Sequence, residues 1–131
     1  MDIATLGVCL NKIKSINSEI TDKLEVKTLS TNIEAGTDVT INQIQEYRIG
    51  DIILVTGTFT TAEQKTSSSN ILKKLEKPTM LTNVILFATD GSNKCYPANI
   101  RTTGDLRFGI TTPAGEYIFN CSYYSPITPV I

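Results

Sequence analysis

Residues 3–24 read IATLGVCLNKIKSINSEITDKL, and their apolar positions recur at Ile3, Leu6, Leu10, Ile13, Ile20 and Leu24, with Asn17 in the one gap. The steps alternate three and four, which is the a/d seam of a coiled coil with Asn17 at an a position. Ile16 lies at a g position and widens the stripe, a width that favours three strands over two. Asn at a fixes register at some cost in stability. Asp2 stands where a helix cap belongs. Beyond residue 25 the period changes, and short runs rich in Thr, Val, Ile and Tyr alternate with Gly, Asn, Ser and Pro. Barely three heptads are marginal for an isolated helix. The seam must therefore meet other copies of the chain or pack on the chain's own head. The fold read from this change of period is mainly β: a short N-terminal α-helical coiled-coil stalk and connector over 1–35, then an antiparallel jelly-roll or β-sandwich head over 36–131.

Within the head, Ile52 to Thr61 is the strongest strand. Ile53, Val55 and Phe59 share one face, and Ile52 and Leu54 the other, which predicts a cover for both faces, a neighbouring subunit among the options. From Val39 to Ile49 the alternation places Val39, Ile41, Tyr47 and Ile49 together. Val84 to Ala88 is apolar throughout and reads as a strand buried on both sides. Residues 71–80 read as irregular. Lys94 to Thr102 reads as a strand at an edge or a bulge, because Pro97 lies inside it. Tyr117, Phe119, Cys121 and Tyr123 alternate with polar or smaller residues in the last strand. Strands every ten to fifteen residues with no helix between them indicate an antiparallel sandwich.

Composition narrows the function. Twelve basic residues balance 13 acidic ones, and the pI is about 5.4. That leaves no basic stripe for nucleic acid. No apolar run approaches a membrane span, and Asp2 with Lys12 and Lys14 does not fit a secretory signal. There is no His and no Trp, so the commonest general base and metal ligand is missing. Six head carboxylates (Glu46, Asp51, Glu63, Asp90, Asp105 and Glu116) sit in no glycosidase motif, and no phosphate loop, cofactor motif or metal-ligand spacing appears. The expectation is a non-enzyme without cofactor or metal. Cys9, Cys95 and Cys121 form an odd set. Cys95 and Cys121 either pair in the head or remain buried free thiols. Nineteen threonines suit exposed strand faces and a sturdy extracellular β-protein.

Four segments carry a resemblance: residues 47–57 (YRIGDIILVTG), Leu75-Glu76-Lys77-Pro78, the hairpin Gly104-Asp105-Leu106-Arg107-Phe108, and residues 115–120 (GEYIFN) leading into Tyr123-Tyr124. In this order, over roughly residues 39–125, they resemble the C-terminal head domains of tail-fibre and baseplate receptor-binding proteins from phages of Gram-positive bacteria. The sequence departs from the fuller pattern in lacking a head Trp and in its short Leu75–Pro78 segment. The resemblance implies a homotrimer, other tail or baseplate proteins as neighbours, a virion tail tip or baseplate location after assembly in the host cytoplasm, and a head that binds host cell-wall saccharide without altering it. A structural trimerising cap with no ligand is the alternative, and a bacterial adhesion or toxin-like module a third.

Saccharide sites combine aromatic platforms with Asp, Asn and Arg hydrogen-bonding groups. Two clusters fit. Asp90, Asn93 and Tyr96, with Ser92 and Lys94, surround a turn that otherwise is an ordinary hairpin tip. Arg101, Asp105 and Arg107 lie on adjacent strand ends, where a surface ion-pair network is the plainer reading. Tyr124 faces away from the core side of its strand and serves either a ligand or a subunit interface.

Overall fold

The computed structural model describes residues 2–29 and 32–127, and in the helix the side chains only as far as Ser18. Helix α1 spans Ile3–Leu24. Its start is capped as expected: Asp2 Oδ1 accepts the Thr5 N–H at 2.7 Å, and this bond holds the Asp2 carboxyl below its ordinary value. From Asp2 to Ser18 every residue except Gly7 is exposed, with Ile3 at 90%, Leu10 at 51% and Ile13 at 54%. Among the described side chains, the apolar seam positions Ile3, Leu6, Leu10 and Ile13 therefore do not pack on the head. The side chains of Ile20 and Leu24 lie outside those described.

Among the described residues nine strands follow: β1 Val26–Thr28, β2 Glu34–Ala35, β3 Val39–Ile49, β4 Ile52–Thr61, β5 Asn70–Lys73, β6 Thr82–Ala88, β7 Cys95–Ile100, β8 Leu106–Phe108 and β9 Gly115–Tyr124. They form one antiparallel sheet in the order β1-β3-β4-β9-β6-β7-β8-β5-β2. The sheet curls into two layers. Phe59 of β4 and Phe108 of β8 have ring centroids 6.1 Å apart, although four strand steps of about 4.8 Å separate them along the sheet. The fold-over lies between β9 and β6, which pair only at Phe87↔Ile118 and Ala88↔Tyr117. Phe59, Phe108, Phe119, Leu86, Ile100 and Leu106 fill the space between the layers.

Alternation in β4 and β9 follows the sequence, with Ile53, Val55, Phe59, Tyr117, Phe119 and Tyr123 buried. Four expectations need correction. Tyr47 and Ile49 do not share the face of Val39 and Ile41. A β-bulge at Asn42, where pairing steps from Ile41↔Phe59 to Gln43↔Thr58, inverts the rest of β3. Glu46 and Arg48 now oppose buried Val55 and Ile53, while Tyr47 and Ile49 oppose Leu54 and Ile52 on the outer face. Second, β6 is covered on one side only: Val84 and Leu86 are buried, and Ile85 and Phe87 are 47% and 50% exposed. Third, residues 70–73 form β5. Fourth, β7 is an interior strand. Pro97 is tolerated because it faces Gly109, whose N–H bonds to Pro97 O at 2.9 Å, just where β8 has ended.

The bulge depends on Gly57, which pairs with Ile44 opposite it. A Cβ there would stand 2.6 Å from Gln43 O. Gly57→Ala is expected to destabilise the head by about 1–3 kcal/mol, read as a lower urea midpoint at an unchanged slope.

Inverted, β3 places a charge in the core near the stalk. Glu46 is 2% exposed, and its Oε2 accepts the Glu76 N–H at 3.0 Å. Arg48 donates to Gly50 O, Ser125 O and Glu76. Tyr123 and Ser125 hydroxyls donate to Glu76 O and Lys77 O at 2.7 Å each. The Leu75–Pro78 segment is thereby tied to both β3 and the chain's last strand. Burial raises the Glu46 carboxyl above its ordinary value of 4.5, and the Glu76 N–H offsets this only in part. The folded state thus holds the Glu46 proton more tightly than the unfolded chain. The stability this contributes is full below the unfolded value and is lost as pH rises through the folded one. Urea titrations across that range should show a loss with rising pH in the parent chain that Glu46→Gln lacks.

Candidate functional site

The stalk enters at Val26, which pairs with Ile49, and Ile49, Ile52 and Tyr124 lie side by side at that proximal end. The distal end carries Thr61, Gly115 and the β6–β7 hairpin. The residues singled out in the sequence divide between these ends and do not make one site.

Asp90 and Asn93 are distal and hold their turn. Asp90 Oδ1 accepts the Ser92 N–H at 2.9 Å, and hydrogen bonds from Ser92 hold its carboxyl below the ordinary value. Asn93 has φ of 59°, a left-handed conformation that Asn tolerates. Tyr96 is half-buried and meets Tyr117 edge-on, with ring centroids 5.6 Å apart. Near the proximal end, Arg107 Nε donates to Asn70 Oδ1 at 3.0 Å and Nη2 lies 3.5 Å from Asp105 Oδ2. Asp105 also accepts the Thr103 hydroxyl at 3.0 Å. These contacts knit β5 to β8. Arg101 is exposed and lines a hollow of about 320 Å³ with Leu81, Asn99 and Thr102. Asn99 Oδ1 is buried there without a hydrogen-bond partner. Tyr124, 51% exposed, lines a second hollow of about 320 Å³ with Met80, Leu81 and Thr82, so the two meet at Leu81. A cleft of about 600 Å³ lies beside Asp105 and is rimmed by Lys73, Lys74 and Lys77, where Lys74 is paired with Glu34 at 2.7 Å.

The three cysteines are free thiols. Cys9 and Cys95 are exposed, whereas burial pushes the half-buried Cys121 thiol up to about 12.

Sequence reasoning missed an outer-face group at the distal end: Asn42, Thr60, Glu116, Thr89 and Phe87. The signal for Phe87 was its position in β6, odd to the buried Val84 and Leu86. Asn42 carried no signal, because only the bulge aims it.

No protein-family model and no curated protein matches the sequence. Among solved structures, the chain is similar to the crystal structure of the receptor binding protein (gp15) of Listeria phage PSA. The TM-score is 0.66 at 9% identity, over 97% of this chain and 82% of that one. The fold is shared with a phage receptor-binding protein. Coverage of 97% leaves no room to omit the 22-residue helix, so the likeness spans stalk and head together. At 9% identity it is the backbone that the phage protein shares, and the site residues must be argued from this chain.

Proposed function

We propose that this chain is a phage receptor-binding protein, placed in the virion at the tail tip or baseplate, assembled in the host cytoplasm beside other tail or baseplate proteins. Three copies associate through the α1 seam, and the head attaches to a saccharide of the bacterial surface without chemistry on it. The observation that carries this reading is the exposed seam on a helix that belongs to the shared fold. A stripe of Ile3, Leu6, Leu10 and Ile13 left in water has a use only when copies pack it. The same edge of the head continues it: Val26, Ile52, Leu54 and Tyr124 are exposed on the outer sheet face at 56%, 43%, 37% and 51%. Weak individual sites on many heads gain strength by avidity.

Two observations favour the second reading, a fibre cap without ligand. Arg107 and Asp105 are paired with each other, and Tyr124 stands in the apolar row. The experiment that separates the two is binding of the full chain to an array of bacterial surface glycans and to whole cells. Retention on a subset of glycans or cells supports the receptor reading. Retention on none supports the cap.

A further inference from the structure

Four strands present their outer residues side by side at the end of the head away from the stalk. Thr60 of β4 pairs with Glu116 of β9, and Thr89, one residue past β6, donates its N–H to Glu116 O at 3.2 Å. The Glu116 side chain is bracketed. Thr89 Oγ1 donates to Oε1 at 2.8 Å, and Asn42 Nδ2 donates to Oε2 at 3.3 Å. Asn42 Nδ2 also donates to Thr60 Oγ1 at 2.8 Å. Asn42 sits where the pairing slips, so the bulge itself brings the amide to the carboxylate, a use to which bulges are suited.

The next row inward is apolar. Ile118 pairs with Phe87, and the two are 47% and 50% exposed. Residues directly opposite on an antiparallel pair share a face, and residues two apart on a strand do so as well. Phe87, Ile118 and Glu116 therefore look out together. Cys95 pairs with Phe87 from the other side and is exposed.

This juxtaposition has a chemistry. An ionised carboxylate offers about four acceptor positions, and the contacts above occupy two. The rest face water on a group already fixed by donors from two other segments, so little side-chain freedom is lost when a ligand hydroxyl donates to it. The half-exposed Phe87 ring beside it carries the negative part of its quadrupole on its face, which suits polarised C–H groups. A pyranose ring has that division, with hydroxyls at its edge and C–H groups on its face. Glu116 and nearby Asp90 disfavour an anion.

We propose that Phe87, Ile118, Glu116, Asn42, Thr60 and Thr89 form a binding site for a neutral pyranoside with two neighbouring hydroxyls. The assignment rests on the receptor-binding reading and gives it a place: the end of the head that points away from the stalk.

Cys95 supplies the test. In the full chain with Cys9→Ser, Cys95 is the exposed thiol, and Cys121 stays protonated at neutral pH. The rate of its alkylation by N-ethylmaleimide is followed with methyl α-D-glucopyranoside, methyl β-D-galactopyranoside and methyl α-D-mannopyranoside, and with glucuronate as the anion. At least one neutral pyranoside is expected to slow the reaction, and glucuronate to leave it unchanged. Phe87→Ala and Glu116→Gln should each weaken that protection roughly tenfold or more, with melting temperature and mass in solution unchanged. No protection by any neutral pyranoside overturns the proposal. So does equal glycan or cell binding by both variants, and in that case the receptor reading survives on another surface. A fall in mass for Phe87→Ala also overturns it, since the face is then a subunit interface. A parent chain that binds neither glycans nor cells overturns the receptor reading itself.

Discussion

A chain carrying Leu10→Asp and Ile13→Asp is expected to be a monomer of 14.3 kDa and to lose about 10²- to 10⁴-fold of its hold on a receptor-bearing surface. Leu10 and Ile13 are consecutive a and d positions, each half exposed on a single chain. In the proposed trimer, three copies of each converge on the helix axis. Six carboxylates placed there must either be buried or keep the helices apart, and an unpaired charge in a dry interface is too costly to persist. Asn17 at the next a position is tolerated because it is neutral and short, and it marks the register. The head needs none of these side chains for its own core, which is built from strands beyond residue 35. Its melting transition should therefore stay close to the parent's once the loss of oligomer is allowed for. The check is mass by light scattering together with the dissociation rate from an immobilised glycan or cell-wall preparation. Retained mass would show that α1 does not hold the copies together.

The second large effect concerns two phenylalanines on β4 and β6, the strands that flank β9. Phe59→Ala is expected to cost about 3–5 kcal/mol, a large share of the roughly 5–15 kcal/mol that holds a domain of this size. Phe59 is 0% exposed. Its ring centroid lies 6.1 Å from Phe108, 5.7 Å from Tyr117 and 6.1 Å from Phe119. Phe108 belongs to the opposite layer, so Phe59 fastens the curl of the sheet. Alanine leaves a void that backbone on four strands cannot close. The melting temperature should fall by about 15 °C or more. Phe87→Ala, the same chemical change at a half-exposed outer position, should alter stability by about 0.5 kcal/mol or less. Equal losses at the two positions would mean that β6 is covered on both faces, against the alternation described.

Much of the fold was legible because local chemistry and tertiary structure agree. The seam and the Asp2 cap define α1, and Ile53, Val55 and Phe59 against Ile52 and Leu54 define β4. The misreadings share a physical cause, which is that coverage and register are set from a distance. A one-residue bulge at Asn42 has no Gly or Pro to announce it, yet it turns Glu46 and Arg48 inward and Tyr47 outward. The apolar run Val84–Ala88 says nothing about how many faces a neighbouring layer will cover. Pro97 suggested an edge, and the sheet accommodates it where β8 stops. The site was harder to read than the fold. Asp90 and Asn93 carry the composition of a binding loop and are occupied by their own turn. Glu116 looks like an ordinary strand carboxylate until donors arrive from Asn42, 74 residues away, and Thr89, 27 residues away.

The exposed helical stripe of Ile3, Leu6, Leu10 and Ile13 and the apolar proximal sheet face are proposed to mark one surface, shared among three copies of a receptor-binding head. Light scattering on the intact chain tests it most directly. Three chains of 14.3 kDa predict a particle of about 43 kDa that stays constant on dilution. A stable particle of 14.3 kDa would contradict the account, since it would leave the seam exposed in solution and the proposed architecture without its foundation.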